Sequence, residues 1–314
     1  MNGIFIGHVI KQRREELRLS QEELCDGICT TATLSRIENG KQAPSYNRMN
    51  ALLQRLGLPE NRYYALMSKE ELEIEQLQKR IINHNISYHK AEGTSKITAY
   101  NQGQSLLAKL ENIVDKDDVI SQQFILRSKA ILCNSEDNNW LEKQRKLLLD
   151  AIRLTVPKFD EEDISSRIYN LDEIKIIIQI AVNCTGRGQH KKAIDLLGQL
   201  LKYVQKHFGH FTQSAKQLSH IAHNYALELA FVGRYDDAIE VAELGRRTAM
   251  EYGYYYVLPG IAHIMAECHY RLGNVAKSRE LYYQAYYGYK IIDNERDRIT
   301  VEAEAKEFLD LEFR

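Results

Sequence analysis

Hydrophobic positions recur along this chain with helical spacing almost throughout. Ile6, Val9, Ile10 and Leu17 fall on one stripe, with Lys11, Arg13, Arg14 and Arg18 on the other faces, which predicts a first helix. Ser20-Gln-Glu-Glu23 is a capping box that opens a second helix at Gln21, ending near Gly27. Thr30 is placed to cap a third helix, Thr31 to Asn39, with Leu34 and Ile37 facing inward. Pro44-Ser45 opens a fourth, carrying Met49, Leu52, Leu53 and Leu56. A further box, Ser68-Lys-Glu-Glu71, starts a helix with Leu72, Ile74, Leu77 and Ile81. The stretch 83–104 is polar and weakly periodic. Beyond it, 124–132 and 141–154 read as a helix pair, and 176–183, 219–231 and 261–272 as further helices. The fold class expected is all-α.

Composition agrees. Four Pro and 17 Gly in 314 residues leave little room for a strand-and-turn architecture, and 44% hydrophobic residues suffice for a core. No run approaches the ~18 apolar residues of a membrane span, and the N-terminus lacks a signal-peptide pattern, so a cytoplasmic protein is expected, with no membrane partner. The five cysteines, Cys25, Cys29, Cys133, Cys184 and Cys268, are odd in number and scattered. Buried, reduced thiols are expected rather than disulfides or a metal site. Net charge is −1, but residues 1–66 carry nine Lys/Arg against seven Asp/Glu, and the remainder 33 against 36. That asymmetry is too weak to demonstrate nucleic-acid binding, so the case rests on pattern.

Two short helices around a tight Gly-containing turn form a helix-turn-helix, whose second helix enters the major groove. The ordered series Arg14, Leu19-Ser-Gln-Glu-Glu-Leu24, Gly27, Leu34-Ser-Arg-Ile-Glu-Asn-Gly-Lys41, Pro44-Ser45 resembles the Cro/CI-type (XRE), lambda-repressor-like DNA-binding domain, and residues 4–60 fit it without a gap. By that resemblance Thr31, Ala32 and Arg36 sit where bases are read. Arg36 is the foremost, because a guanidinium can bond guanine O6 and N7 together. Gln21, Thr33, Asn39, Lys41 and Arg48 sit where phosphates are met, contacts that fix register without specifying sequence. Arg14 and Glu38 match the family's internal ion pair. Arg13, Arg18 and Arg55 read as solvated charges.

The segments Gly188-Gln-His190-Lys-Lys-Ala193, Gly233-Arg-Tyr235-Asp-Asp-Ala238 and Gly273-Asn-Val275-Ala-Lys-Ser278 share one layout. A Gly begins a tight turn, a larger residue follows at +2, and a small residue sits at +5, where paired helices approach. The layout resembles the tetratricopeptide repeat, which implies a right-handed α-solenoid closed by a capping helix, here 299–313. Such arrays bind extended ligands on a concave face. Polar stripes at i, i+4 nominate Lys175, Gln179 and Asn183; His220, Asn224 and Glu228; and His263 and Glu267. An Asn amide offers a donor and an acceptor that match a peptide backbone. The late cluster of tyrosines reads mainly as packing.

The expected domains are therefore 1–66, a helix-turn-helix; 67–83, a linker helix; and 84–314, the repeats. In this order, and with Gly27-Ile-Cys29-Thr30 in the turn, the chain resembles the RRNPP group, the peptide-pheromone-sensing regulators of Gram-positive bacteria. The resemblance implies a homodimer on a pseudo-palindromic operator in double-stranded DNA, controlled by a short signalling peptide in quorum sensing. The competing reading is an XRE regulator whose repeats dock a protein partner or only dimerise. Neither phosphate loops, nucleophile elbows nor metal-ligand spacings occur, so no enzyme and no cofactor is expected.

Overall fold

The computed structural model describes residues 6–58, 69–90, 93–133, 137–208 and 212–313, and these contain helices and no strand. The helices are α1 (Ile6–Glu16), α2 (Gln21–Cys25), α3 (Thr31–Glu38), α4 (Tyr46–Arg55), α5 (Lys69–Lys90), α6 (Gly93–Ile113), α7 (Val119–Ile131), α8 (Trp140–Thr155), α9 (Leu171–Gly186), α10 (His190–Phe208), α11 (Thr212–Phe231), α12 (Tyr235–Glu251), α13 (Leu258–Arg271), α14 (Val275–Ile291) and α15 (Glu295–Leu309). They fall into two compact units, Met1–Ile180 and Ala181–Arg314.

In the first unit, α1 to α4 enclose a core of Ile10, Leu24, Leu34, Ile37, Leu52 and Leu53, all fully buried. The short helices are held by their caps. The Glu23 amide donates to Ser20 Oγ (3.1 Å) and the Ser20 amide to Glu23 Oε2 (2.7 Å), the full capping box. The Thr33 amide donates to Thr30 Oγ1 (3.2 Å). Each cap is worth about 1 kcal/mol, which matters for helices too short to persist alone. The Arg14 guanidinium grips Glu38 in a two-point bond, Nε to Oε1 at 2.7 Å and Nη2 to Oε2 at 2.9 Å, tying α1 to α3.

The expected capping box at Ser68 lies outside the described residues. The helix it was to open continues to Lys90, past the limit of 83, and packs on α6. Ile74, Leu77, Ile81 and Tyr88 meet Leu106, Leu107 and Leu110, so α5 is a full partner in a helix pair. The weak periodicity of 83–104 is overridden by this packing, since tertiary burial supplies most helix stability.

Arg55 departs from its expected role as a solvated charge. Its side chain is buried, 6% exposed, and it donates to the carbonyls of Leu24 (3.0 Å), Asp26 (2.6 Å) and Thr155 (3.3 Å) and to Glu173 Oε1 (3.0 Å). The turn beside it is as tightly docked. Gly27 has φ +71°, and a Cβ there would lie 1.6 Å from the carbonyl oxygen of Thr155. The helix-turn-helix is thus seated on the end of α8 and the start of α9.

The second unit repeats one device. At the end of α11 the Gly233 amide donates to the Ala230 carbonyl (3.0 Å) and the Arg234 amide to Leu229 (2.8 Å), with Gly233 at φ +80°. This is a Schellman stop, which a residue with a Cβ would strain. The same pair of bonds closes α9 at Gly188 and α13 at Gly273. The small residues five positions on, Ala193, Ala238 and Ser278, are fully buried. Helices α11/α12 and α13/α14 pair accordingly, around a core that includes Leu229, Ile261, Leu281 and Tyr282. The last helix starts four residues earlier than 299 and stops at Leu309, where Asp310 takes a left-handed conformation. Phe313 then folds back to stack on Tyr286 at 4.1 Å. No helix among the described residues is long and apolar enough to cross a membrane.

Candidate functional site

The N-terminal turn of α3 stands clear of the protein. Thr31 and Ala32 are exposed on it and Arg36 is exposed in the last turn, the three positions nominated for base reading, while Leu34 and Ile37 of the same helix are buried in the core. The alternation follows directly from the helical period: the face that must pack fixes the face that is free. Asn39 and Lys41 are exposed just beyond the helix, and Thr33 and Arg48 are half-buried. Among the described residues, Arg36, Lys41 and Arg48 have no acidic partner at ion-pair distance, so three positive charges are left unneutralised. Gln21 is already engaged, its Nε2 donating to Glu38 Oε2 (2.7 Å). Asn39 Nδ2 donates to the Ser35 carbonyl (2.8 Å), and Thr33 Oγ1 lies 2.9 Å from Thr30 Oγ1. These three carry the shape of α3 as well as offering polar groups at its edge.

The candidates on the repeat helices are less uniform. Lys175 bonds Asp172 (2.7 Å), and Gln179 accepts from Arg127 Nε (3.1 Å). His220 Nε2 lies 2.6 Å from the Tyr254 hydroxyl, and His263 Nε2 lies 2.6 Å from Glu304. Glu267 is joined to Arg271 at 3.4 Å. Asn224 Nδ2 donates to the His220 carbonyl (2.8 Å), leaving its Oδ1 without a partner among the described residues.

Two candidates are corrected. Asn183 and Glu228 do not face outward; they are 1% and 2% exposed. Glu228 accepts from Thr185 (2.7 Å) and faces His190 Nδ1 (3.0 Å), joining α11 to the end of α9 and the start of α10. The i, i+4 spacing placed them on one face of their helices, but that face meets a neighbouring helix.

What the stripe search missed is apolar. Leu227 is 42% exposed and Phe231 is 70% exposed, three and seven residues after Asn224 on α11. With Asn224 they make a mixed strip: an open amide carbonyl followed by Leu227 and by Phe231, one face of whose ring stacks on His190 at 4.1 Å while the rest is exposed. The usable signal was their spacing from Asn224, outside the buried stripe of Ile221, Ala222, Leu229 and Ala230. Beneath the strip His223 is held neutral. Burial and the neighbouring His263 lower its pKa to about 4, against a raising influence from Asp297.

In the head, the Cys29 thiol is lowered chiefly by a hydrogen bond from Cys25 and then by Arg48. No group of three His, Cys, Asp or Glu among the described residues is placed to hold a metal ion.

A family model described as helix-turn-helix matches residues 10–62. No curated protein matches in sequence. Solved structures do match in fold, across nearly the whole length. The chain is similar to PlcR of Bacillus thuringiensis in complex with the peptide PapR7 and DNA, with a TM-score of 0.59 at 17% identity, covering 98% of this chain and 99% of that one. The apo form of PlcR matches at 0.57 and 18% identity, covering 94% and 97%. The competence regulator ComR of Streptococcus vestibularis, in complex with its cognate signaling peptide XIP, matches at 0.51 and 19% identity, covering 96% and 97%. The chain shares the fold of these proteins: a helix-turn-helix head followed by helical repeats.

Proposed function

We propose that the protein is a cytoplasmic transcriptional regulator of the RRNPP type, whose hold on DNA is controlled by a short signalling peptide. The observation that carries this reading is the end-to-end similarity to PlcR, whose structure contains both a peptide and DNA. It operates by binding and holds no reaction chemistry.

In this reading residues 1–66 are the DNA-binding part, and the helical repeats, beginning with the α5/α6 pair, are the peptide-binding and dimerising part. Arg36 reads a base edge, with Thr31 and Ala32 beside it. Lys41 and Arg48 hold phosphates, with Gln21, Thr33 and Asn39 adding hydrogen bonds. A single reading helix covers too few base pairs to be selective, so two copies act together on a pseudo-palindromic operator. The peptide lies along the strip on α11. Asn224 Oδ1 accepts from a peptide amide, Leu227 and Phe231 cover an apolar side chain, and His220, His263 and Glu267 supply polar contacts. On the first unit, Lys175 and Gln179 of α9 are polar candidates for peptide contact in their own right. The peptide acts by binding one arrangement of the dimer more tightly than another.

The test is selection of the full-length protein on random duplex DNA, then titration of the recovered site with short synthetic peptides encoded beside the gene. Enrichment of an inverted repeat, with affinity that one peptide changes, is expected. Recovery of no preferred duplex, or an operator affinity that no such peptide moves, overturns the reading.

A further inference from the structure

One cavity of the first unit takes no part in the reading above. It has a volume of about 200 Å³ and lies between α4 of the DNA-binding head and helices α5, α7 and α9. Its wall is polar. Much of that wall is spent on holding the head in place: Asn47 Nδ2 donates to Ser121 Oγ (2.7 Å), and Gln54 Oε1 accepts from the Leu171 amide (3.2 Å). Two lining groups are not spent. Arg127 gives Nε to Gln179, but its Nη1 and Nη2 have no partner among the described residues, and no carboxylate stands at ion-pair distance. Asn50 Oδ1 is buried and accepts no hydrogen bond.

An unsatisfied guanidinium edge is a two-point receptor for a planar oxyanion. A buried carbonyl oxygen without a donor costs free energy until something donates to it. The charges around them narrow the class. Glu75 and Asp172 also line the cavity, each paired with a lysine, Lys79 at 2.6 Å and Lys175 at 2.7 Å. Those carboxylates disfavour a dianion such as phosphate and tolerate a single negative charge or a zwitterion. Burial lowers the pKa of Arg127, against a raising influence from the Asp172 carboxylate.

We infer that this cavity binds a small amino or hydroxy acid, its carboxylate on Arg127 Nη1 and Nη2 and its ammonium or hydroxyl donating to Asn50 Oδ1. Because Asn50 belongs to α4 and Arg127 to α7, such a ligand bridges the DNA-binding head and the first repeats. It provides an input distinct from a peptide on α11, and the inference stands whether or not a peptide binds there.

Calorimetric titration of the full-length protein with a panel of amino acids and hydroxy acids, and separately with inorganic phosphate, tests this. At least one of the acids binds, and Arg127→Gln weakens it about tenfold or more, the cost of a lost charge-assisted bond. Asn50→Leu, which removes the acceptor and leaves Arg127 in place, weakens it as well; should Arg127→Gln melt early, Asn50→Leu decides. Binding by none of the acids, binding unchanged in Asn50→Leu, or binding by phosphate alone overturns the inference.

Discussion

Arg55 and Glu173 form an ion pair sealed from solvent, 118 residues apart in the chain, with Nη2 and Oε1 3.0 Å apart. Both ends make further bonds, although Arg55 Nε is buried without a partner among the described residues. Arg55 Nη1 donates to the carbonyls of Leu24 and Asp26 on the head, and Glu173 Oε2 accepts from the Asn170 amide (2.6 Å), closing the N-terminus of α9. Such a pair adds little net stability over an apolar substitute, because two charges were desolvated to make it. Its consequence is geometric: it sets the angle at which α3 is presented by the first unit.

Removing one partner should therefore be costly. Arg55→Ala strands the Glu173 carboxylate and three carbonyls and is expected to lower the unfolding free energy of the first unit by about 3–5 kcal/mol, measured by urea denaturation. Arg55→Met, which fills the same space without charge, still leaves Glu173 alone, and the double change Arg55→Met, Glu173→Leu should recover much of the loss. Additive losses in the double variant would contradict the pairing.

Gly27 is a second test of the same docking. Gly27→Ala must strain a left-handed backbone and push a methyl group into the Thr155 carbonyl. The helix-turn-helix cannot keep its seat, so amide exchange should rise at the α8 end around Thr155 while the core at Leu52 and Leu53 stays protected. Unchanged exchange at Thr155 would mean the turn does not dock there.

On DNA, Arg36 and Lys41 should behave differently. Arg36→Ala removes a base contact and is expected to cost about 1–3 kcal/mol at one base pair while relaxing preference there. Lys41→Ala removes a phosphate contact, weakening all duplexes alike and reducing the salt slope by about 1. Anisotropy titrations on the selected site and on single-base variants, across a salt series, separate the two. Identical behaviour of the variants would abolish the distinction between reader and positioner.

Local signals were the legible ones. The Ser20–Glu23 box, the Thr30 cap and the glycine stops at Gly188, Gly233 and Gly273 each depend on a few adjacent residues, and each stands where the spacing put it. The Arg14–Glu38 bond was legible through the family pattern. Arg55 was not, because nothing near it in sequence names a partner on α9. Asn183 and Glu228 show the complementary failure. A helical period says which residues share a face, and only the packed neighbours say whether that face is open. For the same reason the pattern that placed a helix over 219–231 did not say that Leu227 and Phe231 on it would stand largely exposed.

That uncovered strip makes its own prediction. Asn224→Ala is expected to weaken the cognate peptide about tenfold by calorimetry, the worth of one backbone hydrogen bond in a partly dry groove. Phe231→Ser should cost as much or more by exposing apolar surface of the ligand. Neither change touches the core, so the melting temperature should hold. Asn183→Ala should do the reverse, lowering the melting temperature first, since its side chain is 1% exposed. Peptide affinity that falls only with Asn183 and never with Asn224 or Phe231 would move the site elsewhere.

Stability of the second unit should also fall in mild acid, and His223 fixes the sign. Its folded pKa, about 4, lies below the ordinary value of 6.5, because burial and His263 disfavour the charged ring more than Asp297 favours it. The unfolded chain therefore takes up a proton at a pH where the folded one does not. Stability contributed by the neutral ring is whole above pH 6.5 and drains away between 6.5 and 4, where the folded form also protonates. The difference caps the loss at about 3 kcal/mol, reduced by whatever solvent reaches the ring. Gly260 shapes this environment from α13, since its missing Cβ leaves His223 Nε2 room that a methyl group would occupy at 2.6 Å. In His223→Gln the melting temperature should lose much of its slope across this range while keeping its value near neutrality. A slope that survives the substitution would assign the acid sensitivity to other groups.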